Sequence, residues 1–183
     1  ISRIDGPDKV TGETLYTADV ILPGMLTGKI LRSPHPHARI RGFDTTAAWA
    51  VPGVKAIVTG DDARGFLQGK VLRDLPVLCW DKVRYIGDRV AAVAAETPEA
   101  ADEALLLIDV DYEILPVVFD PMEAMNQSAP LLHDDMSAYD GAPTEFLAPD
   151  IHNGQTRLFW TKGDLEKGFA EADVVLEHSF AIP

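Results

Sequence analysis

Residues 89–116 show the clearest hydrophobic pattern of the chain. They begin with the apolar run VAAVAA, which is typical of a buried strand, and continue into PEAADEALLLI, where apolar residues recur at helical spacing. Thr97 and Pro98 suit the cap and the first position of this helix. DVDYEIL then alternates apolar and acidic residues, as a half-exposed strand does. The pattern predicts a strand–helix–strand unit, with a right-handed crossover if the strands are parallel.

Weaker periodic stretches predict short elements on both sides of this unit. Strands are predicted for TGKILRS, ARIRGFD and VKAIVTG, and DTTAAWA predicts a short helix capped by one of its first three residues. DDARGF predicts a single helical turn. Near the end, KGDLEKGFAEAD predicts a helix with Leu165 and Phe169 facing inward, and VVLEHSFAI predicts a strand. We therefore expect an α+β fold with a mixed sheet that contains the β-α-β unit near 89–116.

The composition changes between residues 122 and 157, which are rich in Pro, Asp, Asn and Gly and have no clear period. This predicts a long surface excursion, and a loop of such length usually packs on something. The chain as a whole, 1–183, is expected to form a single domain. It lacks an initiator Met and stops within a predicted strand, so we expect a fragment of a longer polypeptide.

The charge balance narrows the classes of partner. With 29 acidic and 16 basic residues, the formal net charge is −13, which opposes binding to a phosphate backbone. No apolar run is long enough for a membrane span, and the first residues lack the apolar core of a signal peptide. The single cysteine, Cys79, excludes a disulfide framework and favours a cytoplasmic location.

Two histidines raise the question of a metal or catalytic site. His35 and His37 lie in LRSPHPHARI, and a His-x-His pair on a strand can supply two ligands from one face. A zinc site needs three or four ligands, however, and no further partner is evident nearby. A structural or interface role is therefore favoured for both histidines.

Other candidate groups also have a simpler interpretation. The pair Asp61 and Asp62 fits a helix cap, and the pair Asp134 and Asp135 fits a solvated loop, although either could bind a cation. Cys79 lies among apolar residues, as a buried small hydrophobe does. No nucleotide-binding glycine motif occurs. We assign no catalytic, cofactor-binding or metal-binding residue, which suggests one wall of a larger enzyme or a docking module.

Several ordered blocks resemble one family over nearly the whole chain. The opening contains KVTG at 9–12, PGML at 23–26 and RSPHPHARI at 32–40, followed by DKVRYIGDRVAAVAAETPEAADEALLLIDVDYEILP and later KGDLEKGFAEADVVLEHSF. These blocks resemble the molybdopterin-binding large subunit of the xanthine dehydrogenase/aldehyde oxidase family. DKVRYIGDRVAAVAA and LLHDD also resemble its 4-hydroxybenzoyl-CoA reductase branch. The likeness is weakest at 62–78 and 136–157.

The resemblance implies a fold, an activity and cofactors. The fold would be the α/β hammerhead domain that begins that subunit, with 158–183 starting the link to the following molybdopterin-binding region. The whole enzyme would hydroxylate an N-heterocycle or aldehyde oxidatively. It would use molybdenum-molybdopterin, with iron–sulfur clusters and FAD on other domains or subunits. The isolated fragment would be inactive, because the catalytic glutamate of the family lies later in the subunit.

The resemblance also suggests roles for particular residues. Leu72, Arg73 and Leu75 would line a substrate funnel, or would simply belong to a loop leading into a strand. His35 and His37 would lie at an interface with neighbouring domains or subunits. No nucleic acid and no membrane insertion are expected.

Two alternatives come from other classes of protein. The first is a free-standing binding or assembly module that docks an iron–sulfur or flavin partner. The second is an acidic hydrolase that uses Asp61, Asp62 and a histidine. Tight metal binding by the isolated chain would favour this second alternative.

Overall fold

The computed structural model describes residues 3–70, 72–141, 148 and 150–180. Its helices are α1 (Gly6–Thr11), α2 (Thr46–Trp49), α3 (Pro98–Leu106), α4 (Pro121–Ala124) and α5 (Leu165–Glu171). Its strands are β1 (Thr27–Arg32), β2 (Ala38–Asp44), β3 (Val54–Thr59), β4 (Leu67–Gln68), β5 (Leu75–Pro76), β6 (Lys82–Val83), β7 (Arg89–Ala95) and β8 (Asp109–Ile114). Single 3-10 turns occur at Thr17–Asp19 and Met136–Ala138. No described helix is long and apolar enough to cross a membrane.

The first sheet has the order β1-β7-β3, and both pairs are antiparallel. The helices α2 and α3 pack on one of its faces. Thr97 caps α3, because its side chain accepts a hydrogen bond from the backbone N–H of Ala100 at 3.1 Å. The facing positions of β7 and α3 are mostly alanines, which lets the helix approach the sheet closely. The buried residues of this core are Ala48, Val51, Ala91, Val93, Ala95, Ala101, Ala104 and Ile108.

The second sheet has the order β6-β2-β8 and is also antiparallel. Its core is smaller. Leu31 and Val110 pack against both cores and so join the two sheets. The short strands β4 and β5 form a separate ribbon. The buried residues of the second core are Ala38, Ile40, Cys79, Val83 and Val90.

The α+β class and the bounds of the strand–helix–strand unit are confirmed, but the predicted mixed sheet is wrong. β7 lies in the first sheet, whereas β8 pairs with β2 in the second, and every strand pair in the described ranges is antiparallel. Hydrophobic alternation shows which face of a strand is buried and leaves its neighbour open. A parallel crossover between β7 and β8 was therefore not determined by the pattern.

Three smaller predictions also differ from the structure. DDARGF forms turns without a helix. In α5, Leu165 is 75% exposed and Phe169 is 58% exposed, so neither faces a core. The stretch predicted as a final strand has no strand pairing over 174–180. In each case the local pattern was suitable, but no described element packs against it.

Gly60 is required where the first sheet meets the segment before β6. Its N–H donates to the carbonyl oxygen of Val90 at 3.0 Å. A Cβ at this position would lie 1.8 Å from the carbonyl oxygen of Cys79, which is backbone and cannot move aside cheaply. Only glycine therefore fits this approach of two chain segments.

We predict that Gly60→Ala lowers the free energy of unfolding by at least about 2 kcal/mol, because the methyl group would collide with backbone. Gly28→Ala is the matched control, since a Cβ there would meet no atom within 4 Å. The control should stay within about 0.5 kcal/mol of wild type. Denaturant unfolding followed by circular dichroism measures both variants, and equal losses would contradict the prediction.

Candidate functional site

The two histidines lie in the connection between β1 and β2. The Ser33 hydroxyl accepts a hydrogen bond from the His35 N–H and donates one to the His35 carbonyl oxygen, both at 3.0 Å. The His35 ring meets Tyr112 of β8 edge-on, with 5.0 Å between ring centroids. His35 therefore holds this connection against the second sheet.

His37 is only 3% exposed and has one strong hydrogen bond. Its Nδ1 lies 2.6 Å from the carbonyl oxygen of Pro116, so Nδ1 carries the proton in the neutral ring. Its Nε2 is buried and has no hydrogen-bond partner among the described residues. A buried acceptor without a partner is uncommon in native proteins.

His37 also lines a cavity of about 330 Å³ beside the second sheet. Arg84 contributes a guanidinium, and the other walls are mainly apolar. Much of this rim is open to solvent, with Phe119 79% and Ile86 64% exposed. The remaining lining residues are Pro36, Tyr85, Val117, Val118 and Leu132.

The described residues offer no site for a metal or an iron–sulfur cluster. No group of three or more His, Cys, Asp or Glu side chains is placed to hold a metal ion in that part of the chain. Iron–sulfur clusters are usually held by four cysteine thiolates, and the whole sequence has one cysteine. Cys79 is fully buried, and burial together with the nearby Asp88 raises the pKa of its thiol far above the usual range. The thiol is thus protonated and shielded.

The paired carboxylates have structural partners. Asp62 accepts hydrogen bonds from the N–H and the hydroxyl of Thr59, at 2.8 and 2.9 Å, and these bonds lower the pKa of its carboxyl group. Asp61 pairs with Arg64 at 2.7 Å. Asp135 accepts from the N–H of Ser137 and so caps the short 3-10 turn. These contacts match the structural interpretation rather than a catalytic one.

Two cations near β6 hold the 122–157 segment against the domain. Lys82 is 4% exposed, and its Nζ donates to the carboxylate of Asp134 at 3.1 Å and to the carbonyl oxygen of Leu131 at 3.4 Å. Arg84 donates from Nε to the carbonyl oxygen of Leu132 at 3.1 Å. Asp134 itself is 77% exposed, so the ammonium is the buried member of the pair.

The 122–157 segment also encloses a cavity of about 380 Å³. His133 lies in its wall, with Nδ1 3.0 Å from the hydroxyl of Tyr139. The Nε2 of His152 lies 2.9 Å from the carbonyl oxygen of Ala129. Asn153 closes the turn, because its amide donates to two carbonyl oxygens and its Oδ1 accepts from the N–H of Leu132. The segment is therefore locally organised by its own polar side chains.

The three residues predicted to line a funnel lie on and beside the β4–β5 ribbon, and they differ in exposure. Leu72 is 6% exposed and points into the fold. Leu75 is 44% exposed, and Arg73 is exposed with its N–H donating to the carbonyl oxygen of Asp140 at 2.9 Å. Of the three, Arg73 and Leu75 thus present side chains to a neighbour.

Sequence analysis missed the buried charges Lys82 and Asp88. The Asp88 carboxylate accepts from the N–H groups of Arg84 and Arg89, both at 3.1 Å, and so fixes the turn between β6 and β7. The Gly-Asp pair with Gly87 at φ +93° is the signal that indicated such a turn. Nothing in the local pattern around Lys82 indicated burial, because its partners lie about 50 residues away.

The chain matches one protein family over most of its compact part. The family model described as "Aldehyde oxidase and xanthine dehydrogenase, a/b hammerhead domain" matches residues 11–116. The chain therefore belongs to the aldehyde oxidase and xanthine dehydrogenase hammerhead family.

Curated relatives extend the similarity beyond that domain. The chain is 44% identical over 182 residues to a probable xanthine dehydrogenase subunit of Bacillus subtilis, covering 99% of this chain and 22% of the relative. It is 40% identical over 189 residues to the carbon monoxide dehydrogenase large chain of Afipia carboxidovorans, covering 97% and 22%. The chain thus spans about a fifth of the length of these two relatives.

Solved structures agree with the fold. A crystal structure of a Cu,Mo carbon monoxide dehydrogenase superposes with a TM-score of 0.78 at 36% identity, covering 95% of this chain and 22% of that one. The aldehyde oxidoreductase of Desulfovibrio gigas gives a TM-score of 0.69 at 27% identity, covering 94% and 19%. The predicted hammerhead fold is confirmed.

We predict that Lys82→Met loosens the 122–157 segment while leaving the two sheets intact. The methionine keeps the apolar stem in place, but hydrogen bonds from a charged group worth about 1.5–3 kcal/mol are lost. Limited proteolysis within 122–157 should be at least about tenfold faster. Lys29→Met, which removes a surface ion pair with Asp102, is the control. Equal cleavage of both variants would contradict the anchoring role.

We also predict a pH dependence that originates at His133. Burial and the neighbouring Arg84 lower its pKa below the usual 6.5, so the unfolded segment binds more protons than the folded one. The stability of the segment is therefore complete above the unfolded pKa and falls as the pH decreases through it. Proteolysis within 122–157 at about pH 7.5 and about pH 5.5 measures the effect. His133→Asn should reduce the difference, and an unchanged difference would assign it to other groups.

Proposed function

We propose that this chain is the N-terminal hammerhead domain of a molybdenum hydroxylase large subunit. The observation that carries the proposal is the match of 99% of the chain, at 44% identity, to a much longer probable xanthine dehydrogenase subunit, of which the chain covers 22%. A second relative, at 32% identity, is the nicotinate dehydrogenase large molybdopterin subunit of Eubacterium barkeri. The complete protein would then be an oxidoreductase.

The whole enzyme would hydroxylate a carbon centre of an N-heterocycle or aldehyde, with molybdenum-molybdopterin as the site of oxidation. Xanthine and nicotinate, in the names of two relatives, are N-heterocycles and support the first substrate class. Iron–sulfur clusters and FAD would be held by other domains or subunits. This chain would supply no ligand to them, in keeping with its single buried cysteine.

The domain would contribute structure and contacts rather than chemistry. Arg73 and Leu75 are exposed beside the β4–β5 ribbon, which supports a role as one wall of a substrate funnel, whereas the burial of Leu72 supports a packing role for that residue. The unpartnered Nε2 of His37 and the apolar rim around it support an interface at the β1–β2 connection. His35 would stabilise that connection. A cytoplasmic location fits the single free cysteine.

The division of the chain follows from the same proposal. Residues 1–183 would form one hammerhead-type unit of a longer subunit, with 122–157 as a surface excursion and 158–183 as the start of the link to the molybdopterin-binding region. The contacts of Lys82 and Arg84 with residues 131–134 support packing of the excursion on the domain.

The test is the intact mass and molybdenum content of the native protein that carries this sequence. We expect a polypeptide several times heavier than 19.9 kDa with stoichiometric molybdenum. A native polypeptide of about this size without molybdenum would contradict the proposal. It would favour the alternative, a free-standing module that docks an iron–sulfur or flavin partner.

We predict that replacing both His35 and His37 by alanine leaves the molybdenum content of the assembled full-length subunit unchanged. The reason is that neither ring belongs to a cluster of metal ligands in the described part of the chain. Metal analysis of purified variant and wild-type enzyme, normalised to folded subunit, measures the effect. Loss of molybdenum from a folded, assembled variant would show that these histidines serve the cofactor.

A further inference from the structure

The last described part of the chain is unusually apolar for a surface. Between residues 158 and 180, large hydrophobic side chains are exposed on both α5 and the stretch that follows it. Monomeric surfaces rarely leave so many large apolar groups together in water, and such patches mark interaction sites. The exposed fractions lie between 58% and 94% for Leu158, Phe159, Trp160, Leu165, Phe169, Val174, Val175, Leu176 and Phe180.

Helix α5 has a well-formed start but no packing partner among the described residues. The carboxylate of Asp164 accepts a hydrogen bond from the N–H of Lys167 at 3.0 Å and so caps the helix. None of its seven residues is buried. A helix this short is marginal in water without tertiary packing. Its apolar positions Leu165 and Phe169, four residues apart, therefore present a ready face to a partner.

A groove lies between α5 and the residues after it, and a glycine opens its floor. The groove has a volume of about 420 Å³ and is lined by Leu165, Gly168, Phe169, Ala172, Val174 and Leu176, among others. A Cβ on Gly168 would meet no atom within 4 Å. Glycine is unfavourable inside a helix compared with alanine, and no described neighbour requires it here. It leaves the helix backbone open to close approach by another chain segment.

The backbone after α5 is also unpaired. Residues 173–180 make no backbone hydrogen bond with any other described residue. Val174, Leu176, His178 and Phe180 alternate along this stretch, and the His178 and Phe180 rings lie 6.2 Å apart. An extended segment with free N–H and C=O groups and alternating apolar side chains is suited to strand addition.

We propose that α5 and residues 173–180 form a docking surface for a later part of the same polypeptide. That part would pair an extended strand with 173–180 and place apolar side chains in the groove at Gly168. The inference rests on the proposed function, under which this chain belongs to a longer subunit. The family model ends at residue 116, so this surface lies outside the hammerhead domain proper. Consecutive chain elements usually pack side by side, which favours the same polypeptide over another subunit.

The test uses the complete native subunit in its molybdenum-loaded enzyme. Amide hydrogen exchange followed by mass spectrometry should show residues 173–180 protected by at least about tenfold relative to the rate of an unstructured peptide. A photo-crosslinking amino acid in place of Phe169 should attach to a peptide of the same polypeptide. Exchange at the unstructured rate, or crosslinks only to another subunit or to a second copy, would overturn the inference.

Two variants of the complete subunit sharpen the result. Gly168→Leu fills the groove without weakening the helix, and it should remove the protection of 173–180. Glu166→Leu adds the same side chain at a position outside the groove lining and should leave the protection unchanged. Equal effects of both variants would overturn the close approach at Gly168. A heavy, molybdenum-loaded subunit with unprotected 173–180 would reject this inference alone, whereas a short polypeptide without molybdenum would reject the proposed function as well.

Discussion

The central strand β7 is the element on which the rest of the structure depends. It pairs with β1 on one side and β3 on the other, and its alanines lie beneath α3. Ala101 and Ala104 of the helix are fully buried against it, so small side chains set a close helix–sheet distance. Its first residues also accept hydrogen bonds through the carbonyl oxygens of Arg89 and Val90, from Cys79 and Gly60 respectively.

These bonds couple the two sheets through backbone rather than through long side chains. Asp88, directly before β7, accepts from two N–H groups, and its carbonyl oxygen accepts from the N–H of Ser33 at 2.8 Å. The Ser33–His37 connection is thereby fixed to the start of the central strand. This explains why the histidine segment is rigid without any metal ligand set in the described residues, and why its rings are available for packing and contacts.

The polar side chains of the domain serve mostly to attach segments. Lys82 loses hydration on burial, but its carboxylate and carbonyl partners replace the lost water contacts. In return the 122–157 segment, which has little regular structure, is held at a defined place. A domain organised in this way presents surfaces and carries no reaction centre of its own in the described residues. This arrangement fits one domain of a large enzyme subunit.

The sequence by itself determined the short-range features: the Thr97 cap, the alanine face of α3, the alternation of β8 and the family to which the chain belongs. Each depends on neighbours within a few residues or on whole motifs. Only the tertiary structure decided that β7 and β8 lie in different sheets, that Lys82 is buried, and that Leu165 and Phe169 remain exposed. These outcomes depend on residues far away in the chain, or on partners beyond it, and periodicity records the apolar face without naming what covers it.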